Sequence, residues 1–332
     1  MEGVMMRSPR YFAVACRAPN GDIVLQTEAL EKTWIGRQKW LKLPFLRGSL
    51  ALLDAMALGI KAMKFASNVQ LDEKFQPVKE AGEAEADAKP ADKTPSKSVQ
   101  SASVAVAMFL GIVIGLFIFN FLPNLLSEQL RRFGTSPTIV NLVTEILKLI
   151  IFVGYIWMIG RLPEIREVFK YHGAEHKAIN TMEASQPLDI ETCQAQTRFH
   201  PRCGTSFAVI VLLISLLVFT FVPRYPFGES ASSWANVSIR VLMEIAILPI
   251  VAGISYELLR IAGKFRSKRI VDAAFKPGIW TQRLTTNEPE GHQVEVALVA
   301  LKAVIHAEET GELRSDSGAV LNEKLEIAEQ LA

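Results

Sequence analysis

Two short stretches of this sequence bring together residues that could bind a metal ion. The first contains His172 and His176 and the second contains His200 and Cys203, so the two stretches hold three of the five histidines and one of the three cysteines. If residues 164–184 form a helix, His172 and His176 lie one turn apart on the same face. With His200 and Cys203 they form a set of four ligands suited to tetrahedral zinc.

The local sequence predicts how the second pair of ligands is positioned. His200 precedes Pro201, so its backbone should be extended. Pro201 is well suited to start the helix of the next apolar segment, which would place Cys203 in the first helical turn. There the helix dipole and the neighbouring Arg202 favour the thiolate, which is the form of cysteine that binds metal.

Glu175 extends this pattern from binding to catalysis. The run His172-x-x-Glu175-His176 matches the inverted zincin pattern, in which the glutamate acts as a general base. It predicts a metal-dependent hydrolase with Glu175 as the catalytic residue. Two other interpretations stay open. One is a structural zinc site whose four protein ligands leave no open position, and the other is a set of metal-free histidines that form hydrogen bonds at the membrane boundary or cap helices.

Long apolar segments surround these residues and must position them. Half of the 332 residues are hydrophobic, and they concentrate in the runs 104–122, 138–159, 206–222 and 241–262. Each run can cross a hydrocarbon layer of about 30 Å at about 1.5 Å per residue. We therefore predict an α-helical membrane protein with four transmembrane helices, and the lipid bilayer as its partner. The net charge of +2, without interleaved aromatic and basic residues, argues against nucleic-acid binding.

The distribution of lysine and arginine predicts the orientation of the helices. Both residue types are enriched in the segment 161–205 and in the segment after the fourth helix, and such loops remain in the cytoplasm. We expect a multi-pass protein of the inner (plasma) membrane with both termini cytoplasmic. Arg7, Arg10 and Arg17 interrupt the first apolar stretch, so no signal peptide is predicted. The sparse cysteines fit a reducing compartment better than a disulfide framework.

The chain divides into four predicted regions. They are an N-terminal β-hairpin with an amphipathic helix (1–66), a disordered linker (67–100), a four-helix membrane domain that includes the cytoplasmic loop 161–205 (101–262), and a C-terminal cytoplasmic helical region (263–332). The linker is rich in Ala, Glu, Lys, Asp and Pro and cannot bury enough apolar surface to offset the loss of chain entropy. The other cytoplasmic parts are each too small to be stable alone, so they should pack together.

Local patterns predict elements in the N-terminal region. Strands at 11–17 and 23–27 flank the turn sequence Pro19-Asn20-Gly21-Asp22, which indicates a β-hairpin. Residues 41–66 mix apolar and basic residues. This pattern fits an amphipathic helix on the membrane surface, and it also fits a helix buried in a small domain.

In the C-terminal region, Lys276-Pro277-Gly278 predicts a turn. Residues 290–309 carry apolar side chains at helical spacing and predict a helix with one buried stripe. The residues from Glu323 predict another short helix.

Ionisable residues inside the apolar runs form a second candidate site. Glu145 and Lys148 lie three residues apart on one helical face, and Glu244 lies at a comparable depth in the fourth run. Such residues are functional candidates by default. We interpret them as an interhelical salt bridge that fixes packing. A transporter that uses them is a weaker hypothesis, because the sequence has few spans and no visible internal repeat.

Several motifs along the chain resemble one known family. They are Glu2-Gly3-Val4-Met5-Met6-Arg7-Ser8-Pro9, Pro44-Phe45-Leu46-Arg47-Gly48, Tyr171-His172-Gly173-Ala174-Glu175-His176-Lys177, His200-Pro201-Arg202-Cys203-Gly204-Thr205-Ser206-Phe207, Leu284-Thr285-Thr286 with Glu288-Pro289, and Gln293-Val294-Glu295-Val296-Ala297. Together they resemble the YqhQ-like family of bacterial membrane proteins, over nearly the whole chain except the linker. Members typically carry a Gly-rich apolar stretch before the first motif, whereas this chain begins inside it, so either the start is misassigned or the first strand is shortened.

The resemblance implies a membrane protein of a family described as metal-dependent enzymes without an established reaction. It therefore supports the choice of His172, His176, His200, Cys203 and Glu175 more than any particular chemistry. The first hypothesis is a metal-dependent membrane enzyme with a divalent metal, zinc by preference. The alternative is a non-catalytic scaffold or assembly factor, with other membrane proteins as partners, whose metal or polar cluster ties the loop to the third helix.

Overall fold

A computed structural model describes residues 2–30, 46–76, 97–201, 203–228, 232–264 and 269–314 of the chain. The protein is mostly helical and divides into two compact units. The first unit comprises Met1–Pro77, Ile156–Val211 and Ala252–Ala332, and the second comprises Val78–Tyr155 and Leu212–Val251. The described residues contain four helices that are long and apolar enough to cross a membrane: Val106–Phe133, Pro137–Ile159, Gly204–Phe221 and Ser233–Arg260.

A three-stranded antiparallel sheet opens the first unit. The predicted hairpin is confirmed as β2 (Tyr11–Arg17) and β3 (Ile23–Ala29), joined through a turn at Gly21, whose φ of 92° suits glycine. Strand β1 (Gly3–Arg7), whose bounds were not predicted, pairs with β2 along the other edge. Because successive side chains of a strand point to opposite faces, the almost continuous apolar run of β2 buries both faces of the sheet.

Helices cover both faces of this sheet. On one face, Met6, Ala15 and Leu25 pack in a single core with α10 (Gly291–Thr310) and α5 (Pro163–Glu183). On the other face, Phe12 and Val24 pack against residues of α1 (Leu46–Leu71). The expectation that the small terminal elements pack together is therefore confirmed for the sheet, α1, α5 and α10.

Helix α1 differs from its predicted range at both ends. The prediction began at residue 41, which lies outside the described residues, and the helix continues beyond residue 66 to Leu71. A short 3₁₀ turn, Glu73–Phe75, follows, and the next helix in the described part of the chain begins at Lys97. The ends of the predicted linker are thus helical, and its residues 77–96 lie outside the described part of the chain.

The first apolar helix is longer than predicted. Helix α2 (Lys97–Leu116) runs through a π turn (Phe117–Phe121) into α3 (Leu122–Glu128) and a final 3₁₀ turn to Phe133. The run predicted to end at residue 122 continues as a helix past Pro123, because this proline occupies the first turn of α3, where a missing N–H is tolerated, directly after the π turn.

The remaining long helices are close to their predicted positions. They are α4 (Pro137–Ile159), α7 (Gly204–Phe221) and α8 (Ser233–Lys264). Helix α8 starts eight residues before the predicted 241 and contains Pro249. A short helix, α6 (Ile190–Ala195), lies between α5 and α7.

The C-terminal region contains both confirmed and wrong predictions. The helix predicted at 290–309 is confirmed as α10, where Glu290 and Gln293 form a capping box. The single buried stripe is wrong, because the six consecutive residues from Val296 to Leu301 are all buried and the helix is enclosed around most of its circumference. The turn predicted at Lys276-Pro277-Gly278 is wrong, because these residues lie inside α9 (Arg269–Thr285). A side chain added at Gly278 would meet Cβ of Ser206 at 3.0 Å, so the glycine permits close packing of α9 against the start of α7. The helix predicted from Glu323 lies outside the described residues.

Candidate functional site

Helix α5 presents His172 and His176 on one face, as their spacing predicts. The centroids of the two imidazole rings are 4.4 Å apart. The opposite face of α5 is fixed in the core of the first unit by Tyr171, Ala174 and Ala178, which are almost fully buried. Side chains on a helix project in directions fixed by their positions in the sequence. The core that holds one face of α5 therefore also fixes the direction of the two histidines on the other face.

Gly173 allows another backbone segment to approach α5 beside His172. A Cβ atom at this position would collide with the carbonyl oxygen of Asn287. The backbone N–H of Asn287 also donates a hydrogen bond of 2.9 Å to the carbonyl of Phe169. The segment after α9 therefore lies directly along α5, which brings the carbonyl of Thr285 within reach of His172.

Backbone carbonyls fix the orientation of both imidazoles. His172 donates from Nδ1 to the carbonyl of Thr285 at 2.9 Å, and His176 donates from Nδ1 to the carbonyl of Arg198 at 2.6 Å. In neutral imidazoles this leaves each Nε2 atom with a free lone pair. Protein metal sites use the same arrangement, in which a hydrogen bond at one ring nitrogen orients the other nitrogen towards the ion.

Cys203 supplies the third donor atom. Its Sγ lies 3.2 Å from Nε2 of His172 and accepts a hydrogen bond from Oγ1 of Thr205 at 3.1 Å. The prediction that Pro201 starts the third helix is wrong, because α7 begins at Gly204. Cys203 instead directly precedes the helix, and its Sγ accepts from the backbone N–H of Thr205 at 3.4 Å. Arg202 lies outside the described residues.

His172, His176 and Cys203 form the group that we call the His/Cys cluster. One donor atom from each residue lies within 4.8 Å of the others, and His176 and Cys203 are buried. Two imidazole nitrogens and a thiolate are a donor set that zinc prefers. Ligand atoms of a tetrahedral zinc ion lie roughly 3.5 Å apart, so a small contraction of the cluster would suit this ion.

The electrostatics of the cluster favour a thiolate beside an imidazolium in the absence of an ion. Burial alone raises the pKa of the Cys203 thiol, but hydrogen bonds from His172 and His176 and their positive charge lower this pKa to about 5. Burial opposes charge on His172, but its hydrogen bond to Cys203 and the negative charge of that sulfur raise the pKa of the imidazole to about 9. The pocket therefore already stabilises negative charge on sulfur, which is the state that binds metal.

Glu175 lies on the same helix beside the cluster. Its side chain is partly buried. Enclosure of the carboxyl group raises its pKa above the usual range, and the positive charge of His172 and His176 reduces this effect. A general base needs a pKa closer to the working pH than that of an ordinary carboxyl group, and a raised pKa is a change in that direction.

His200 lies near the cluster but is directed elsewhere. Its ring centroid is 5.7 Å from that of His176, and its Nε2 lies 3.3 Å from Oε1 of Glu183. Of the four predicted ligands, the structure thus brings three into one group, and the fourth faces a carboxylate at the end of α5.

Gln282 and Thr285 on α9 support the site and were missed by the sequence analysis. Gln282 is fully buried, accepts from the N–H of His200 at 2.8 Å and donates to the carbonyl of His200 at 2.6 Å. It also donates to Oγ of Ser206 at 2.8 Å, and so holds both sides of Cys203. Only the family motif that contains Thr285 could have pointed to this helix, because neither residue is a usual zinc ligand or general base.

The ionisable residues of the second unit form a separate cluster that we call the ion network. Lys148 on α4 lies 2.7 Å from Glu145 on the same helix and 2.7 Å from Glu244 on α8. The predicted interhelical salt bridge is therefore confirmed. The network contains three acids and three bases, all nearly fully buried: Glu128, Glu145, Glu244, Lys148, Arg224 and Arg240.

The two arginines of the ion network were not predicted. Arg240 lies 3.0 Å from Glu244, and Arg224 lies 2.8 Å from Glu128. Arg240 also donates to the carbonyls of Phe219, Val222 and Pro223. Both arginines lie just beyond the ends of predicted helices. They were not predicted to be buried, because basic residues at such positions are usually exposed.

The protein is thus mostly helical, with four candidate membrane spans and a His/Cys cluster in the described part of the chain. Comparison with known proteins identifies the family: the chain belongs to the family described as "Protein of unknown function (DUF1385)", which matches residues 43–307. The chain is also 33% identical over 316 residues to the uncharacterized protein YqhQ of Bacillus subtilis (strain 168), covering 94% of this chain and 92% of that protein. The resemblance seen in the motifs is confirmed. No solved structure matches.

Proposed function

We propose that this protein is a metal-dependent membrane enzyme whose ligands are His172, His176 and Cys203. The observation that carries the proposal is the convergence of three donor atoms within 4.8 Å, with both histidines oriented by backbone carbonyls. Three protein ligands with a further position left for substrate or water are typical of catalytic zinc, whereas structural zinc has four.

The residues around the cluster would divide the work of a hydrolysis. A bound zinc ion would supply Lewis acidity. Glu175 would take a proton from the attacking water at a carboxylate oxygen and return it to the leaving group. His172 and His176 would keep their Nδ1 protons on the carbonyls of Thr285 and Arg198, so that their orientation stays fixed during the reaction.

Metal analysis of the detergent-purified protein tests the proposal. We expect about one equivalent of zinc per chain, with a loss of most of this metal in Cys203→Ser and His172→Ala. Cys193→Ser and His306→Ala are matched controls, because Cys193 is another buried free cysteine and His306 lies on α10. Equal metal content in all four variants and the parent would contradict the proposed ligands, provided that thermal melting shows each variant to be folded.

A cobalt-substituted protein distinguishes an enzyme from a scaffold. An open position would let a small anion such as azide shift the visible absorption of bound cobalt, whereas a closed four-ligand site would not respond. His200→Ala should keep the metal if three ligands suffice and lose it if His200 is the fourth. Glu175→Gln should keep the metal in either case, because this residue is proposed as a base.

The scaffold alternative rests on His200. Its ring lies 5.7 Å from that of His176 and, like Cys203, it belongs to the segment that leads into α7. If His200 joined the His/Cys cluster as a fourth ligand, the metal would have no open position for a substrate. It would then only link this segment to α5. Metal loss in His200→Ala together with an unresponsive cobalt spectrum would favour it.

We also propose that both termini and the His/Cys cluster face the cytoplasm of a bacterial cell, with the protein in its inner membrane. The excess of lysine and arginine in segment 161–205 supports this orientation. Reporter fusions near Ala91 and at the C-terminus should report the cytoplasm, and fusions near Gly134 and Ser232 should report the outside. A cytoplasmic signal from Gly134 would contradict the orientation.

A further inference from the structure

Helix α1 carries an exposed apolar stripe along most of its length. The stripe consists of Leu53, Met56, Ile60, Met63 and Leu71, which are between 39% and 60% exposed. Their spacing of three or four residues, with one turn skipped at Ser67, places them on one face of the helix. A contiguous apolar surface of this kind usually marks an interaction site.

The opposite face of α1 is already occupied. Leu58, Ala66 and Val69 are buried against the sheet. Asp54 lies on the same inner side and pairs with Arg7 of β1 at 2.6 Å. The helix is therefore fixed to the first unit by one face, and its stripe is presented by a rigid support.

The charges of α1 indicate what the stripe contacts. Asp54 is the single acidic residue in its sequence, and the basic residues are Arg47, Lys61 and Lys64. Lys61 and Lys64 are exposed, and Lys61 pairs with Glu28 of β3. An apolar face flanked by lysine without acidic residues matches the interfacial region of an anionic lipid layer.

The start of α1 lies beside the last part of α8, whose residues from Ala252 onwards belong to the same unit. A side chain added at Gly48 would meet Cβ of Tyr256 at 2.5 Å and Cα of Gly253 at 3.1 Å. Gly253 and Tyr256 belong to the last two turns of the apolar part of α8, which ends at Arg260. The chain thus enters α1 next to the end of a candidate span, where a bilayer surface would lie.

We propose that the outer face of α1 lies in the interfacial region of an anionic phospholipid bilayer and holds the first unit against the membrane. The sequence of this segment fitted either a helix buried in a small domain or an amphipathic helix on the membrane surface. Under this proposal α1 is both, because its inner face is buried and its outer face binds lipid. The stripe would enter the layer by about 5–10 Å, as in other interfacial helices.

Fluorescence of a labelled full-length protein tests this inference. The protein is placed, one copy per disc, in nanodiscs of phosphatidylcholine with phosphatidylglycerol, and an NBD label is attached at Ile60→Cys. Glu309→Cys is the matched control, because Glu309 is exposed on α10, on the opposite side of the sheet. The parent protein, whose three native cysteines are buried, gives the background labelling.

We expect the label at position 60 to show blue-shifted emission and strong quenching by lipids with a nitroxide in the upper acyl chain. The label at position 309 should show neither. Lys64→Gln should reduce the quenching at position 60 in the anionic discs. Equal, weak quenching at both positions would overturn the inference, because it would show that the stripe does not enter the lipid layer.

Discussion

The ion network and the His/Cys cluster are both buried groups of polar side chains, but they differ in how their charges are balanced. In the ion network, three acids face three bases, and Lys148 bridges Glu145 and Glu244 at 2.7 Å each. In the His/Cys cluster, two imidazole nitrogens and a thiol sulfur converge within 4.8 Å, although none of them is a fixed cation. The network is complete within the protein, whereas the cluster needs a proton or a metal ion between its donors.

This difference separates a packing role from a binding role. A balanced set of buried ion pairs holds helices in one arrangement, and removal of one partner leaves an uncompensated charge. Two imidazole nitrogens and a thiol sulfur that converge on one point are the arrangement expected of a ligand site. Substitutions in the network should therefore change stability above all, and substitutions in the cluster should change ligand binding above all.

The largest expected effect is that of Lys148→Met. The substitution leaves Glu145 without a cation and weakens the pairing of Glu244, so we expect a loss of about 3–5 kcal/mol in the free energy of unfolding. Thermal and denaturant unfolding in detergent would measure it. Lys61→Met, which removes an exposed ion pair with Glu28, should have little effect. A stable Lys148→Met protein would show that the network does not hold the helices.

Restoring the charge balance should recover most of that loss. In Lys148→Met combined with Glu145→Gln, the remaining acid Glu244 still pairs with Arg240 at 3.0 Å. The double variant should therefore unfold at a higher temperature than Lys148→Met alone. If both proteins are equally unstable, the geometry of the lysine matters more than its charge.

Gly173→Ala should damage the first unit through packing alone. The added methyl group meets the carbonyl oxygen of Asn287, so α5 and the segment after α9 must separate, at a cost of roughly 1–3 kcal/mol. Gly59→Ala on α1 is the matched control, because a methyl group there meets nothing within 4 Å and should stabilise the helix by up to about 1 kcal/mol. Both are measured by thermal unfolding, and similar melting temperatures would contradict the close approach at Gly173.

Gln282→Leu should affect binding more than folding. It removes the hydrogen bonds to His200 and Ser206 that hold both sides of Cys203. We expect a loss of stability of about 1–2 kcal/mol and a metal affinity that falls by roughly 10–100-fold. Competition with a metal chelator would measure the affinity. An unchanged affinity would mean that Cys203 is positioned by α7 alone.

The smallest effect should come from Glu175→Gln, and it gives a direct contrast between the two regions. Enclosure already disfavours the charged form of Glu175, so a neutral amide should change stability by no more than about 1 kcal/mol. Glu244→Gln should be far more harmful, because it removes the acid shared by Lys148 and Arg240. Equal melting temperatures for Glu175→Gln and Glu244→Gln would contradict the assignment of a packing role to the ion network and a binding role to the His/Cys cluster.

The sequence predicted those elements whose formation depends on local patterns. The hairpin, the helix that carries His172 and His176, the long apolar helices and α10 all follow from periodicity, turn residues and caps. The errors at Pro123, Pro201 and Pro277 share one cause. The effect of a proline on a helix depends on its position in the turn and on its neighbours in space, which a single sequence does not specify.

The supporting residues of both sites could not be predicted for a related reason. Gln282 and Thr285 act through backbone groups of segments far away in sequence. Arg240 was not singled out, because it lies just before the predicted start of the fourth apolar run, and its pairing with Glu244 one helical turn later becomes visible only when α8 includes it. The three converging donors were predictable because their residue types are rare and chemically distinctive. The direction of His200 was not, because its contact with Glu183 joins residues that are 17 positions apart.

Helix α5 forms a wall between the apolar core and the polar cluster, so the precision of the cluster is set by how well the core resists deformation. Ala174 is completely buried and is adjacent in sequence to both Gly173 and Glu175. A larger side chain there would rotate the helix about its long axis, and a rotation of a few degrees moves the imidazole nitrogens much farther than it moves the backbone. Variants selected only for a stable core could therefore keep the fold and still displace the three ligand atoms. Metal binding thus restricts the side chains of this core more strictly than stability does.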